Sequence, residues 1–100
     1  MVRLSPLFEA LASPQRRRIM FALLDCTQQE TLPVDPSADF FDPSDPRTLE
    51  IELRHVHLPY LAQYGYVDWD RDTGEVAPGP EFETIREPLV ALRDFAEEQD

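Results

Sequence analysis

One mainly helical domain carrying a small β-ribbon is the fold class that these 100 residues predict. Three observations point there. Apolar residues recur at helical spacing in four stretches, which marks amphipathic helices. From Val67 to Ala77, apolar and polar residues alternate on either side of a turn containing Gly74, the pattern of a β-hairpin. The length suits one domain, residues 1–100, with a single modest core.

Ser5-Pro6 predicts the first helix start, with Ser5 as N-cap and Pro6 at the first helical position, where a missing N–H costs nothing. Leu7, Phe8, Leu11 and Ala12 follow on one face. Ser13-Pro14 repeats the signal for a second helix over 14–26. Ile19, Leu23 and Cys26 form its stripe, Met20 and Leu24 widen it, and Arg16, Arg17 and Arg18 occupy its first turns.

Residues 27–46 hold four prolines and four aspartates, so most of the segment is expected to be loop. Within it "TLPV" can pair as a short strand, and "DPSADFF" can form a short helix capped by Asp35, docking Phe40 and Phe41 on the core. Arg47 to Tyr64 is the longest periodic stretch, about five turns. Leu49, Leu53, Val56, Tyr60 and Tyr64 form its buried stripe with Leu61 beside them. Pro59 removes the donor for the His55 carbonyl and should kink the helix, while His57 is expected to serve the backbone groups so freed. Gly65 is the expected stop.

The hairpin occupies 66–78, with Trp69 under the ribbon and Pro78-Gly79-Pro80 ending it. The rest, 81–98, is helical. "EFETIRE" reads as a separate short piece, and Glu87-Pro88 opens a last helix with Leu89, Leu92, Phe95 and Ala96 on one face.

The formal charge is -11, and all nine basic residues are arginine. The acid is unevenly spread. Residues 1–26 carry +2 (four arginines against Glu9 and Asp25), and residues 47–64 are neutral (Arg47 and Arg54 against Glu50 and Glu52). A 42% hydrophobic content argues against a disordered chain. No apolar run reaches the roughly 20 residues of a membrane span, and Glu9, Ser13 and Pro14 interrupt any signal-like opening, so a cytoplasmic protein is expected. Cys26 stands alone and is expected to be a small buried thiol. With only His55 and His57 beside it, no metal set is expected, and no cofactor.

The order of elements, together with "LFEALASPQRRRIMFALLD" and "HLPYLAQYGYVDWDRDTGEV", resembles a winged helix-turn-helix domain of ArsR type. The likeness covers nearly the whole chain and is nearest to small winged-helix proteins of halophilic archaea, which share the "HLP" proline. What the resemblance implies is a DNA-binding transcriptional regulator. The long helix 47–64 would enter the major groove, the hairpin 66–78 would be the wing, and two copies would pair through the first and last helices. The acidity fits a cytoplasm of concentrated salt: at about 1 M salt the Debye length is roughly 3 Å, so a net negative charge repels DNA little beyond contact.

The residues expected to meet double-stranded DNA are therefore Arg47, Arg54 and His55 at the bases and Arg16, Arg17 and wing Arg71 at the phosphates. Each has a plainer reading. The arginines of the second helix can serve the fold, those of the long helix can pair with Glu50 and Glu52, and Asp70 and Asp72 flank Arg71. The competing expectation is a winged-helix interaction module without DNA binding, whose acidic wing and tail meet a basic protein partner. Enzyme activity is not expected, because no nucleophile–base spacing, phosphate-cradling loop or ligand set occurs.

Overall fold

The structure, a computed structural model, describes residues 4–26 and 30–99. It is helical with a small antiparallel sheet. The order is α1 (Leu4–Ala12), α2 (Pro14–Leu23), β1 (Leu32–Pro33), α3 (Pro46–Glu52), a π-helical turn (Leu53–His57), α4 (Leu58–Gln63), β2 (Val67–Trp69), β3 (Glu75–Pro78) and α5 (Phe82–Gln99). This arrangement is compatible with a winged-helix shape. No described helix is long and apolar enough to cross a membrane.

α2 begins as its sequence predicts: the Ser13 hydroxyl accepts from the Arg16 N–H at 3.3 Å, and Pro14 follows. Ser5, expected as the cap of α1, lies inside that helix. Ile19, Met20 and Leu23 are fully buried and meet Leu7 and Ala10 of α1, but Cys26 is only half-buried. Burial, with Glu30 and Asp25 adding to it, pushes the Cys26 thiol above its ordinary pKa.

β1 pairs with β3, Leu32 opposite Val76, and β2 pairs with β3 on the other side, Trp69 opposite Val76. The sheet order is β1-β3-β2. The "DPSADFF" segment makes two successive turns rather than a helix, closed by Ala38 N–H to Asp35 C=O and Phe41 N–H to Ala38 C=O, both 3.0 Å. Asp35 explains this outcome. Its carboxylate accepts from the Ser37 N–H at 2.8 Å and from the Ser37 hydroxyl, an Asx turn that competes with helix continuation. Phe41 still reaches the core and Phe40 packs against it.

The long helical run ends at Gly65, φ +76°, where Gly65 N–H bonds Ala62 C=O and Tyr66 N–H bonds Leu61 C=O, both at 3.0 Å. These are the paired bonds of a Schellman stop. Gly79 closes the same corner. Its N–H donates to the Tyr66 carbonyl at 3.0 Å, and a Cβ there would fall 2.9 Å from the Gly65 carbonyl carbon. The chain then enters α5, which is continuous through Pro88; "EFETIRE" is its first part and not a separate piece. Phe82, Ile85 and Leu89 anchor α5 in the core, whereas Leu92 and Phe95 remain exposed.

Candidate nucleic-acid interface

Asp45 and Pro46 start the long helix. The Asp45 carboxylate accepts from the Arg47 and Thr48 N–H groups at 3.1 and 3.3 Å and from the Thr48 hydroxyl at 2.8 Å. Those bonds, the Thr48 hydroxyl first, hold its pKa below the ordinary value. The sequence carried this start signal, since Asp-Pro here matches the Ser-Pro pairs upstream, but the expected boundary fell one residue late.

Seven residues after Pro46, the helix widens. Leu58 N–H bonds the Leu53 carbonyl, an i to i−5 link that defines a π turn directly before Pro59. Such turns insert one residue into a helical repeat. The buried face therefore runs Leu49, Leu53, His57, Leu61, and Val56, expected in the stripe, is 51% exposed. Arg54 and His55 sit within the widened turn, and both face solvent.

Among the described residues, His57 is the buried polar one. Its partner is a side chain from another helix and not the freed backbone: Arg16 Nη1 lies 3.1 Å from His57 Nδ1. An arginine only donates, so Nδ1 accepts and the imidazole is neutral in this pair. Burial first, and the Arg16 charge second, hold the His57 pKa below its usual 6.5, with Glu52 opposing. Arg16 also lies over the Tyr60 ring, 4.7 Å from its centroid. The Tyr60 hydroxyl donates within reach of Glu9 Oε2 (3.0 Å) and the Pro6 carbonyl (3.2 Å), and burial followed by Glu9 pushes its pKa up to about 12.

The eight described arginines divide by task. Arg16 donates from Nε to the Ala10 carbonyl (3.1 Å) and from Nη2 to the Glu9 carbonyl (2.8 Å), while Arg17 Nη1 donates to the Leu11 carbonyl (2.6 Å). Both thus close the C-terminus of α1, where unpaired carbonyls and the helix dipole favour a cation. Arg86 and Arg93 of α5 do the same for α2, donating to the carbonyls of Leu24 (3.4 Å) and Phe21 (3.3 Å), and they pair with Glu83 and Asp25. Arg18 bonds Gln15. Among the described residues, Arg47, Arg54 and Arg71 have no carboxylate at ion-pair distance and no guanidinium hydrogen bond to the protein.

Two of those three come together. Arg54 and His55 from the π turn and Trp69 and Arg71 from the hairpin line one cleft of about 200 Å³. Exposed Arg71 lies over the half-buried Trp69 indole, its guanidinium carbon 4.7 Å from the ring centroid. The flanking Asp70 is exposed, and it is engaged by its own loop. Its carboxylate accepts from the Asp72 and Thr73 N–H groups at 2.9 and 3.3 Å, and Gly74, φ +78°, completes the loop with its N–H on the Asp70 carbonyl at 2.8 Å. Glu50 and Asp72 border the adjoining hollow beside Arg54. Arg47 stands two turns before Arg54 on the same helix, beside Glu50 and Pro36.

Of the expected site residues, then, Arg54, His55 and Arg71 converge and Arg47 precedes them on the same helix, whereas the guanidinium groups of Arg16 and Arg17 are bound to the C-terminus of α1. Reading from the sequence missed Trp69 as the plate under Arg71; its position two residues before an arginine in a tight hairpin was the available signal. No protein-family model matches the chain, and neither curated proteins nor solved structures give a match. The ArsR-like resemblance and a halophilic archaeal origin thus gain no support from these comparisons.

Proposed function

We propose that this protein is a winged-helix DNA-binding regulator whose long helix reads the major groove while the hairpin holds the backbone. One observation carries the reading: among the described arginines, the three with neither a carboxylate at ion-pair distance nor a guanidinium hydrogen bond lie on the long helix and the wing, and Arg54 and Arg71 flank a single cleft with His55. Arginines open to solvent on a helix–wing junction suit the forked, charge-assisted bonding that phosphate and guanine edges accept. Arg16 and Arg17 serve DNA only indirectly, by holding α1. The high acid content suits DNA binding in concentrated salt, where long-range repulsion is screened.

Duplex binding followed by fluorescence anisotropy from about 0.1 to 3 M KCl tests this. Phosphate contacts weaken steeply as salt rises, while fewer repulsions survive, so affinity is expected to pass through a maximum. A protein that shifts no duplex, random or from its own upstream region, at any salt is not this regulator.

The same reading pairs two copies through α1 and α5, where Phe8 (63%), Leu92 (42%) and Phe95 (62%) are exposed. Phe95→Asp should then halve the mass seen by light scattering. The exposed acids of the hairpin, Asp68, Asp70, Asp72 and Glu75, favour the second reading, an interaction module for a basic protein partner. Loss of all duplex binding with dimerisation intact would select it.

A further inference from the structure

The long helix carries an apolar residue where its charge pattern calls for a polar one. Ile51 is 55% exposed. It stands one turn after Arg47 and one turn before Arg54 and His55, all of them exposed. Residues at these spacings share one helix face. An isolated apolar residue on a surface is ordinary. This one lies in the middle of the only described helix face whose arginines bond to nothing else in the fold.

Within a major groove, two base atoms suit arginine and one group suits isoleucine. Guanine offers N7 and O6 to a guanidinium, and thymine offers a C5-methyl group to an alkyl side chain. The face therefore presents a cation, an alkyl group, then a cation and an imidazole, in the order of the helix axis.

We propose that Ile51 is a specificity-determining residue that recognises a thymine methyl between the bases met by Arg47 and by Arg54 or His55. The inference rests on the DNA-binding reading and adds its sequence preference. Burial of the Ile51 side chain against the methyl supplies discrimination, and the flanking arginines supply most of the affinity. Cytosine or deoxyuridine in the same place leaves Ile51 against a gap.

The test uses the full chain and a duplex enriched by it from a random pool of about 20 base pairs. Each thymine of the enriched duplex is replaced singly by deoxyuridine, which removes one methyl group and no hydrogen bond. Wild-type protein is expected to lose about fourfold in affinity at one thymine, the worth of one buried methyl group, and Ile51→Ala is expected to lose nothing further there. Because Ile51 is exposed, Ile51→Ala should unfold at the wild-type denaturant midpoint. Tight binding of the wild type with no sensitivity at any thymine overturns the role of Ile51 and leaves the regulator reading standing. A thymine that matters equally to wild type and Ile51→Ala overturns it too. If the pool enriches no duplex at all, the regulator reading fails, and the role of Ile51 with it.

Discussion

The α1–α2–α5 side of this molecule and its long-helix–hairpin side use the same residue type in opposite ways. On the first, Arg16, Arg17, Arg86 and Arg93 reach from one helix to the carbonyl end of another. On the second, Arg47, Arg54 and Arg71 make no guanidinium hydrogen bond or ion pair among the described residues, and Arg71 lies over the face of Trp69. A chain without lysine must draw both its structural cations and its functional ones from arginine, and only geometry separates them. Guanidinium suits the structural task because its five fixed donors span two carbonyls and a side chain at once, as Arg16 does with Ala10, Glu9 and His57. Left open, the same fork suits phosphate and guanine.

The largest expected effect breaks the comparison at its structural end. Arg16→Ala leaves the Glu9 and Ala10 carbonyls and the buried His57 without their charged donor, and should cost about 2–3 kcal/mol in denaturant unfolding. Arg16→Lys should recover little, since an ammonium cannot span the same acceptors. Duplex affinity of either variant, measured where it is folded, should match the wild type. A normal stability with weakened binding would move Arg16 to the other class.

Gly79→Ala comes next and probes the corner that sets the hairpin against α4. The added methyl would press on the Gly65 carbonyl and the Val67 backbone, so a loss of about 1–3 kcal/mol is expected. Because this corner aims the wing, duplex affinity should fall along with stability. That shared loss distinguishes it from Arg16→Ala.

At the functional end, Arg54→Ala and Arg71→Ala should each leave unfolding within about 0.5 kcal/mol of wild type, as exposed substitutions do. Each should weaken duplex binding about tenfold and lower the slope of log affinity against log salt by about 1. Trp69→Leu should mimic Arg71→Ala, because the ring that holds the guanidinium would be gone. An unchanged salt slope in all three would remove the cleft from the interface.

How far this division could be read beforehand depends on the distance over which each feature is encoded. Ser13-Pro14, Gly65 and the Asp70–Gly74 turn are local signals, and each element they mark is where the pattern puts it. That "TLPV" pairs as a short strand was also legible, but its partner, β3 of the hairpin, was not. Nor was the π turn. A fixed 3.6-residue period cannot register an inserted residue, so Val56 took the place that His57 fills. Pro88 read as a helix start because proline so often is one, yet Phe82 and Ile85 bury the turn before it and hold α5 continuous. The fate of Arg16 was least legible, because its partners in α1 and the π turn meet only in the folded chain.

The smallest effect lies where the two sides touch. His57 belongs to the turn that presents Arg54 and His55, and it is bonded to Arg16, which holds α1. Its pKa in the folded protein is depressed below 6.5, so between those two values the unfolded chain binds more protons than the native one. Stability contributed by the neutral imidazole is thus complete above pH 6.5, declines as pH falls toward the folded pKa, and levels off below it. Protonation sets an imidazolium beside the Arg16 guanidinium at 3.1 Å, with Glu52 the carboxylate that offsets it. Denaturant midpoints measured from pH 7.5 to 5 should therefore fall for wild type and less steeply for His57→Gln, whose amide oxygen can accept from Arg16 without titrating. Duplex affinity should drop over the same range only if the π turn relaxes with that bond. Equal midpoint profiles for the two proteins would show that the link between the structural and the functional arginines is not made through this imidazole.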